Sequence, residues 1–167
     1  MNIRPEIEKD KTAIQEINQL AFETFAEATL VDTLREQCHP VVSLIAEEDR
    51  EIVGHIMFSP VTLIGSFDLK IMGLAPMAVL PKYQRKGIGS ALVQTGLDEC
   101  KKRGFGAVVV LGHTSYYPRF GFIPATRFGI DCEYDVPEDA FMVIELQPSS
   151  LTGAKGKIKY HSAFSNV

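Results

Sequence analysis

A basic turn that contains two glycines has the residue types of a phosphate-binding site. Residues 84–89 read Gln-Arg-Lys-Gly-Ile-Gly and come directly before a long helical pattern. A helix N-terminus presents backbone N–H groups and partial positive charge, both of which suit an anion. Gly87 and Gly89 have no Cβ and therefore let a ligand approach the backbone closely. Three cations oppose the formal net charge of -4: Lys82, Arg85 and Lys86.

Two other phosphate motifs do not fit the residues of this turn. A P-loop requires G-x-x-x-x-G-K-[ST], which the chain lacks. A dinucleotide fingerprint requires a third small residue where Leu92 stands and an acid after the next strand, which ends here in Leu-Gly-His at residues 111–113. An ordinary basic turn before a helix is the alternative to a phosphate site.

Strand and helix patterns on both sides position the turn. Residues 77–80 form an apolar run that Pro81 ends. Apolar residues recur at helical spacing over 88–103, and Gly104 follows as a stop. Ala107–Leu111 is continuously apolar, as a strand covered on both faces should be. This order predicts a right-handed parallel strand–helix–strand crossover.

The remaining periodicity predicts a mixed α/β fold. Helical spacing covers residues 10–22 and 27–38. Apolar runs predict further strands at residues 3–5, 41–47, 52–59 with an extension at 61–64, 67–80, 128–134 and 140–146. Within the strand at 67–80, Gly73 and Pro76 predict an interruption, because proline has no N–H to give to a ladder. Such a break would leave strand backbone free to bind a ligand.

Length and composition predict one domain. The chain has 167 residues, of which 46% are hydrophobic and 23% charged, and this composition suits a packed core. We expect a single domain over residues 1–148. Residues 149–167 are expected to form a C-terminal tail that packs on the same domain, with weak strand character at 158–160.

Charge and cysteine usage narrow the classes of partner. Mild acidity argues against nucleic-acid binding, and no apolar run approaches the length of a membrane span. The first six residues contain no apolar signal-peptide core. The three cysteines, Cys38, Cys100 and Cys132, are widely spaced and odd in number, which argues against a disulfide framework or a metal site. We therefore expect a cytoplasmic protein with reduced thiols and no metal.

The order and spacing of these motifs resemble the GNAT superfamily of N-acetyltransferases. Residues 84–89 match its [QR]-x-x-G-x-[GA] signature, and residues 77–81 resemble its cofactor strand. Residues 116–122, Tyr-Tyr-Pro-Arg-Phe-Gly-Phe, resemble its F-Y-x-x-x-G-F segment. The resemblance is closest over residues 73–122. Together with residues 111–113 and 159–164, these segments are most similar to the YhbS-like group.

The resemblance implies a fold, a reaction and a cofactor. The fold would be a mixed, mostly antiparallel twisted sheet with a central splayed parallel strand pair and about four flanking helices. The reaction would move an acetyl group from acetyl-CoA to a primary amine of a small molecule or a protein. The turn would bind the pyrophosphate and the broken strand the pantetheine arm. The implied cofactor-binding residues are Met77, Ala78, Val79, Gln84, Arg85, Lys86, Gly87, Ile88, Gly89 and Ser90.

The resemblance also implies roles for side chains. Tyr117 stands five residues before Phe122, as the family's tyrosine does, and would stabilise the leaving thiolate; Tyr116 competes for this role. A phenol pKa near ~10 exceeds a thiol pKa near ~8.5, so complete proton transfer is uphill. The alternative is that Tyr117 is a core ring with its hydroxyl at the rim. A backbone N–H near Val79 would stabilise the oxyanion. The candidate bases are His113, Glu23, Glu27, Glu133 and ordered water.

Two further segments bear on the ligands. Many family members carry an asparagine before the tyrosine segment, whereas residues 112–115 contain none, so Thr114 or Ser115 would have to replace it. The region that joins the first two helices tends to shape the acceptor pocket in the family, which makes Phe25 and Glu27 the candidate acceptor-binding residues. The alternative is that Phe22 and Phe25 pack in the core.

A second class of function competes with the enzyme. The chain could be a non-catalytic acyl-CoA-binding or sensor domain that keeps the pocket and has lost turnover. The presence of Tyr117 favours the enzyme. The sequence does not identify the acceptor. It is compatible with a monomer or a homodimer.

Overall fold

The computed structural model of the protein describes residues 1–65 and 69–167. These residues form three α-helices, where the family resemblance implies about four, and several short 3-10 helices. The helices are α1 (Lys11–Phe22), α2 (Ala26–Gln37) and α3 (Ile88–Lys102). The strands are β1 (Asn2–Pro5), β2 (Val42–Glu48), β3 (Glu51–Ile64), β4 (Ile71–Val79), β5 (Ala107–Leu111), β6 (Ile123–Pro124), β7 (Ile130–Cys132), β8 (Phe141–Glu145) and β9 (Gly156–Lys159). Within these ranges, no helix combines the length and the apolar character needed to cross a membrane.

The sheet is mixed and mostly antiparallel. Its strands follow the order β1-β2-β3-β4-β5-β8-β6, and β9 pairs with both β3 and β7. The β4–β5 pair is parallel, with Ile71 to Gly73 opposite Ala107 to Val109. The mixed α/β fold and the parallel connection through α3 that the sequence predicts are therefore confirmed.

For β4 the sequence predicts a start at residue 67 and an interruption near Gly73 and Pro76. The strand start predicted at residue 67 lies outside the described residues. The described strand runs from Ile71 to Val79 with Gly73 and Pro76 inside it, so the strand itself is not interrupted there. Its pairing with β5 ends at Gly73, however, which is the break in pairing that the sequence predicts. Pro76 nevertheless offers no N–H to a neighbouring strand.

The described residues divide into two compact units. The first contains Met1–Ser59, Ala75–Gly96 and Ser162–Val167, and the second contains Pro60–Leu74 and Leu97–His161. The divisions fall inside β3, β4 and α3, so each unit takes part of these elements.

In the first unit, two glycines let α3 lie close to β3. A Cβ on Gly96 would collide with the ring of Phe58. A Cβ on Gly54 would come within 3.0 Å of Leu92 and 3.1 Å of Ile88, at the start of α3. Both glycines therefore fix how closely the helix that begins at the predicted phosphate turn can pack on its strand.

In the second unit, β5 is buried except at its last residue, Leu111, as its continuous apolar run predicts. Ala107, Val108 and Val109 are 0% exposed, and β5 pairs antiparallel with β8. The predicted strand character in the tail is confirmed by β9, which pairs with Thr62 to Ile64 of β3. The two-residue strand β6 is missing from the sequence prediction because so short a strand has no detectable alternation.

Candidate functional site

The end of β4 is tied directly to the predicted phosphate turn. Val79 ends the strand, and the carbonyl oxygen of Val79 accepts a 3.0 Å hydrogen bond from Gln84 Nε2. The backbone N–H of Leu80 donates to the carbonyl of Val53 on β3 at 2.9 Å. The end of β4, where Met77, Ala78 and Val79 lie, is thus joined by hydrogen bonds to the turn and to β3.

The turn itself has the backbone shape of an anion site. Arg85 and Gly87 have positive φ values of 64° and 85°, both in the left-handed region. A non-glycine residue in that region costs about 1–2 kcal/mol, and such strain clusters at ligand sites. A Cβ on Gly87 would meet nothing within 4 Å, so the space beside the backbone is open.

Helix α3 begins at once, at Ile88. The N–H of Ala91 donates to the carbonyl oxygen of Gly87 at 3.1 Å, which closes the first helical turn. The amides from Gly87 to Gly89 therefore stand at the positive end of a 15-residue helix. This arrangement fits a phosphate group.

Positive side chains surround the turn. Lys82 Nζ and Lys86 Nζ lie 5.2 Å and 5.4 Å from the centre of the Tyr83 ring. The Tyr83 hydroxyl donates to Glu51 at 2.9 Å, and Lys82 Nζ lies 3.8 Å from the same carboxylate. Arg85 is exposed. Lys82, Arg85 and Lys86 thus place three cations at or beside the turn, and Glu51 pairs with Lys82.

The predicted tyrosine segment forms a tight turn in the second unit. After β5 ends, the N–H groups of Tyr116 and Tyr117 both donate to the carbonyl oxygen of His113, at 3.1 Å and 3.3 Å. A short 3-10 helix, Tyr117–Phe120, follows, and Gly121 ends it with a φ of 104°. The turn or short helix that the sequence predicts here is confirmed.

Of the two adjacent tyrosines, Tyr116 and Tyr117, Tyr117 is the buried one. It is 8% exposed, and its ring lies edge-on to the rings of Tyr116 at 5.1 Å and Phe122 at 5.7 Å. Gly112 lies so close that a Cβ there would collide with the Tyr117 ring. Tyr116 is half-buried and carries Arg119 over its ring at 4.5 Å. The buried ring of Tyr117 therefore occupies space that a side chain at position 112 would fill.

Burial keeps the Tyr117 hydroxyl protonated. Loss of solvent, and secondarily the neighbouring Tyr116, raise the pKa of Tyr117 to about 12. In the part of the chain that the structure describes, this hydroxyl has no hydrogen-bond partner. It can therefore act as a donor to an incoming anion at neutral pH.

The other predicted residues of this segment lie in the same turn but are exposed. His113 holds the turn through its backbone carbonyl, and its side chain faces solvent. Ser115 is exposed, and its carbonyl oxygen accepts a 3.5 Å contact from Arg119 Nη2. The structure thus brings His113, Ser115 and Tyr117 together.

The junction of α1 and α2 forms a surface pocket in the first unit. Its volume is about 300 Å³, and its lining residues are Glu16, Gln19, Leu20, Glu23, Thr24 and Phe25. Phe25 is 72% exposed and Phe22 37%, so the alternative in which these rings pack in the core is wrong. Glu27 does not line the pocket; Glu27 Oε1 accepts a 2.7 Å hydrogen bond from the Thr24 hydroxyl.

One lining residue, Leu20, is not predicted from the sequence to be part of the pocket. Helical spacing assigns Leu20 to the buried face of α1, whereas the side chain is 57% exposed. The signal that could have found the pocket is the spacing of Glu16, Leu20 and Glu23, which share one face of the helix. Glu23, the C-terminal neighbour of α1, has a left-handed φ of 60°.

Comparison with known proteins gives the family. The model of the Acetyltransferase (GNAT) family matches residues 11–122, which include the turn and the tyrosine segment. The chain belongs to the GNAT family of acetyltransferases.

Curated relatives resemble the chain along almost its whole length. The uncharacterized N-acetyltransferase YhbS of Escherichia coli strain K12 is 39% identical over 165 residues, which are 98% of this chain and 98% of the relative. The uncharacterized N-acetyltransferase YjhQ of the same strain is 40% identical over 153 residues, 86% of this chain and 84% of the relative. The similarity to YhbS confirms the group that the sequence predicts.

Solved structures agree with the fold. The crystal structure of Escherichia coli YhbS in complex with CoA matches with a TM-score of 0.91 at 38% identity, covering 98% of this chain and 91% of that one. A GNAT family acetyltransferase from Brucella melitensis in complex with acetyl-CoA matches with a TM-score of 0.79 at 33% identity, covering 98% and 97%. The GNAT fold is confirmed, and the chain is an acyltransferase.

Proposed function

We propose that the protein transfers the acetyl group of acetyl-CoA to a primary amine of a small molecule or a protein. The observation that carries this proposal is the buried, protonated Tyr117 at the position of the family's tyrosine. Acetyl-CoA supplies a thioester whose carbonyl carbon is open to attack by an amine. The protein has to hold that donor, to stabilise the charges that develop, and to take up the proton of the amine.

The donor would be held mainly by backbone groups. The turn from Gln84 to Ser90 would bind the pyrophosphate, and Met77, Ala78 and Val79 would bind the amides of the pantetheine arm. The left-handed turn, the open space at Gly87 and the surrounding cations support the first assignment. Ser115 would replace the asparagine contact that the family uses and this chain lacks.

Tyr117 would stabilise the leaving thiolate. With its pKa raised to about 12, the hydroxyl donates a hydrogen bond and does not give up its proton to a thiol of pKa near ~8.5. The hydrogen bond strengthens as negative charge develops on sulfur, which is the condition for lowering the barrier. A backbone N–H near Val79 would do the same for the oxyanion.

His113 would take up the proton of the attacking amine. A neutral imidazole has a free nitrogen lone pair that can accept the proton. Its exposed position lets the proton pass on to water. Glu23, Glu27 and Glu133 are the alternative carboxylate bases.

The acceptor would bind at the pocket formed by α1 and the link that leads to α2. Phe25 and Leu20 supply apolar surface, and Glu16 and Glu23 supply negative charge that attracts a protonated amine. Glu27 would contribute its charge from behind Thr24, with which it shares a hydrogen bond. We propose that residues 1–148 form the acetyltransferase domain and residues 149–167 its tail.

Release of free thiol from acetyl-CoA tests this function directly. The protein is mixed with acetyl-CoA and with a panel of primary amines that includes alkyl amines, diamines, aminoglycosides and peptides with a free N-terminus. We expect thiol release that depends on one class of amine. If acetyl-CoA binds with ordinary affinity and no amine releases thiol, the enzyme proposal fails and the sensor interpretation replaces it.

A further inference from the structure

A continuous line of polar side chains crosses the interior of the first unit. His55 on β3 is 0% exposed, and both of its ring nitrogens have partners: Ser43 Oγ lies 2.9 Å from Nε2, and Asn18 Nδ2 lies 3.4 Å from Nδ1. The Ser43 hydroxyl also donates to Glu6 Oε1. Arg35 completes the line by donating to both oxygens of Glu6, from Nε at 2.9 Å and from Nη2 at 3.2 Å.

The partners at each end determine which atom donates and which accepts in each hydrogen bond of this line. Asn18 Nδ2 already donates to the carbonyl oxygen of Ile14 at 3.0 Å, which identifies it as the amide nitrogen. Its second hydrogen faces His55 Nδ1, so Nδ1 accepts and the ring proton is on Nε2. Nε2–H then donates to Ser43 Oγ, and the Ser43 hydroxyl is left to donate to Glu6. His55 is therefore neutral, and this agrees with burial and the Arg35 charge, which lower the pKa of His55 to about 3.

The two ends of the line lie on α1 and α2, and the pocket is lined by residues of α1 and of the link at residues 23–25 that joins the two helices. Asn18 belongs to α1 and is flanked along the chain by Ile17 and by Gln19, a pocket residue. Among the described residues, Asn18–His55 is the one side-chain hydrogen bond that joins α1 to a strand. Arg35 belongs to α2, and its carboxylate partner Glu6 is also joined to β2 by a 3.0 Å bond from its N–H to the carbonyl of Ser43.

Apolar packing alone would not fix the orientation of these helices. Ile14 and Ile17 of α1 are 1% and 2% exposed, but apolar burial has no preferred direction and tolerates rotation of a helix about its axis. Arg4 fixes only the start of α1, through Asp10, at 2.7 Å and 3.1 Å. The second half of α1, which carries Gln19 and Leu20, depends on Asn18 for a directional contact.

We propose that His55 is a positioning residue for the amine acceptor. Through Asn18 it positions α1, which carries most of the pocket lining, and through Ser43, Glu6 and Arg35 it anchors α2, the helix that follows the remaining lining residues. It touches no substrate, since it is fully buried. The inference rests on the proposed function, because the pocket is the proposed acceptor site. Loss of His55 should therefore raise the KM for the amine and leave cofactor affinity unchanged.

Three variants test this role against simple stabilisation of the fold. His55→Leu removes both links, His55→Gln keeps one acceptor and one donor, and Val42→Ala is the control. Val42 is 0% exposed, adjoins Ser43 and takes no part in the line, so its variant lowers stability by loss of packing. Each protein is measured for unfolding in urea, for the Kd of CoA, and for kcat and KM with the most active amine of the panel.

We expect His55→Leu to raise the amine KM about tenfold, as for loss of one buried hydrogen-bonded link. Its kcat and its CoA Kd should stay close to the wild-type values, and His55→Gln should restore part of the KM. Val42→Ala should lose stability with an unchanged KM. Equal KM values in His55→Leu and Val42→Ala would overturn the positioning role and would leave the proposed acetyl transfer standing.

A fluorescence measurement separates this inference from the proposed function. The chain contains no tryptophan, so Phe25→Trp places a single reporter on the pocket. We expect its emission and its quenching by acrylamide to change when His55→Leu is added, and not when Val42→Ala is added. If no amine is acetylated by the wild-type protein, the proposed function fails, and the reporter then decides whether His55 arranges the pocket. An unchanged reporter overturns the inference.

Discussion

Gln84 Nε2 donates a 3.0 Å hydrogen bond to the carbonyl oxygen of Val79. This bond closes a loop between the last residue of β4 and the first residue of the family signature. The strand and the turn that are proposed to hold the two ends of one cofactor are thereby fixed to each other. This bond explains why a glutamine suits the first position of the signature: its side-chain amide joins the turn to the end of β4.

Gln84→Leu should weaken CoA binding and leave the fold intact. The variant removes the bridge, so the turn has to be ordered when the cofactor binds, and a lost hydrogen bond of about 1 kcal/mol corresponds to a roughly fivefold rise in Kd. Gln94→Leu, an exposed position on α3, is the matched control. Calorimetry with CoA measures both variants. An equal, small effect in the two would show that the bridge has no part in binding.

Gly87→Glu should abolish CoA binding in a folded protein. The new carboxylate would stand where the pyrophosphate is proposed to lie. The chain offers a close control in Gly104, which follows the other end of α3: its φ is 87° against 85° for Gly87, and a Cβ there also meets nothing within 4 Å. Both substitutions carry the same backbone strain of about 1–2 kcal/mol. If Gly104→Glu weakened CoA binding as much as Gly87→Glu, strain and not charge would be the cause.

Tyr117→Phe should lower kcat and leave CoA affinity unchanged. The substitution removes one oxygen and keeps the buried ring, so packing against Phe122 survives. General-acid contributions are typically worth ~10²–10⁴-fold, and we expect the low end because a thiolate is already a fair leaving group. Tyr116→Phe, on the half-buried neighbour, should cost much less. Mild and equal losses in both variants would reduce Tyr117 to a core ring and move the search for the acid to His113.

The pH profile of the wild-type enzyme should show no loss of activity from Tyr117 until strongly alkaline pH. A tyrosine with a pKa of about 12 keeps its proton through the physiological range, and its hydrogen bond is lost only as the pH rises toward that value. A fall of kcat between pH 8 and 10 that disappears in Tyr117→Phe would contradict this assignment.

The sequence predicts the structure of the proposed cofactor site better than that of the proposed acceptor site. The turn and α3 follow from glycine spacing and helical periodicity, both of which are local properties of the chain. Phe25 and Leu20 are different, because their types predict burial while their exposure depends on where α1 ends. His55 gives no signal at all: it stands alone in an apolar strand, and its partner Asn18 is 37 positions away. Contacts of that kind are set by tertiary structure and have no local pattern.

The buried line through His55 should also make the protein lose stability in mild acid. The pKa of His55 falls from 6.5 to about 3 on folding, so between these values the unfolded chain binds more protons than the folded one. Stability is therefore full above pH ~6.5 and declines as the pH falls, by at most about 1.36 kcal/mol per unit. Between pH 7 and pH 5 this amounts to about 2 kcal/mol.

Urea denaturation at pH 7 and pH 5 measures this loss, and His55→Gln should remove most of it. Protonation of the ring would place an N–H opposite the Asn18 amide and a positive charge near Arg35, while the Glu6 carboxylate lies beyond Ser43 and is already engaged by Arg35. Asp10, whose pKa its contact with Arg4 lowers, keeps its charge throughout this range and adds nothing to the slope. His39, His113 and His161 are present in both proteins, so their contributions cancel in the comparison. Curves that stay parallel in the two proteins would show that His55 does not titrate with folding.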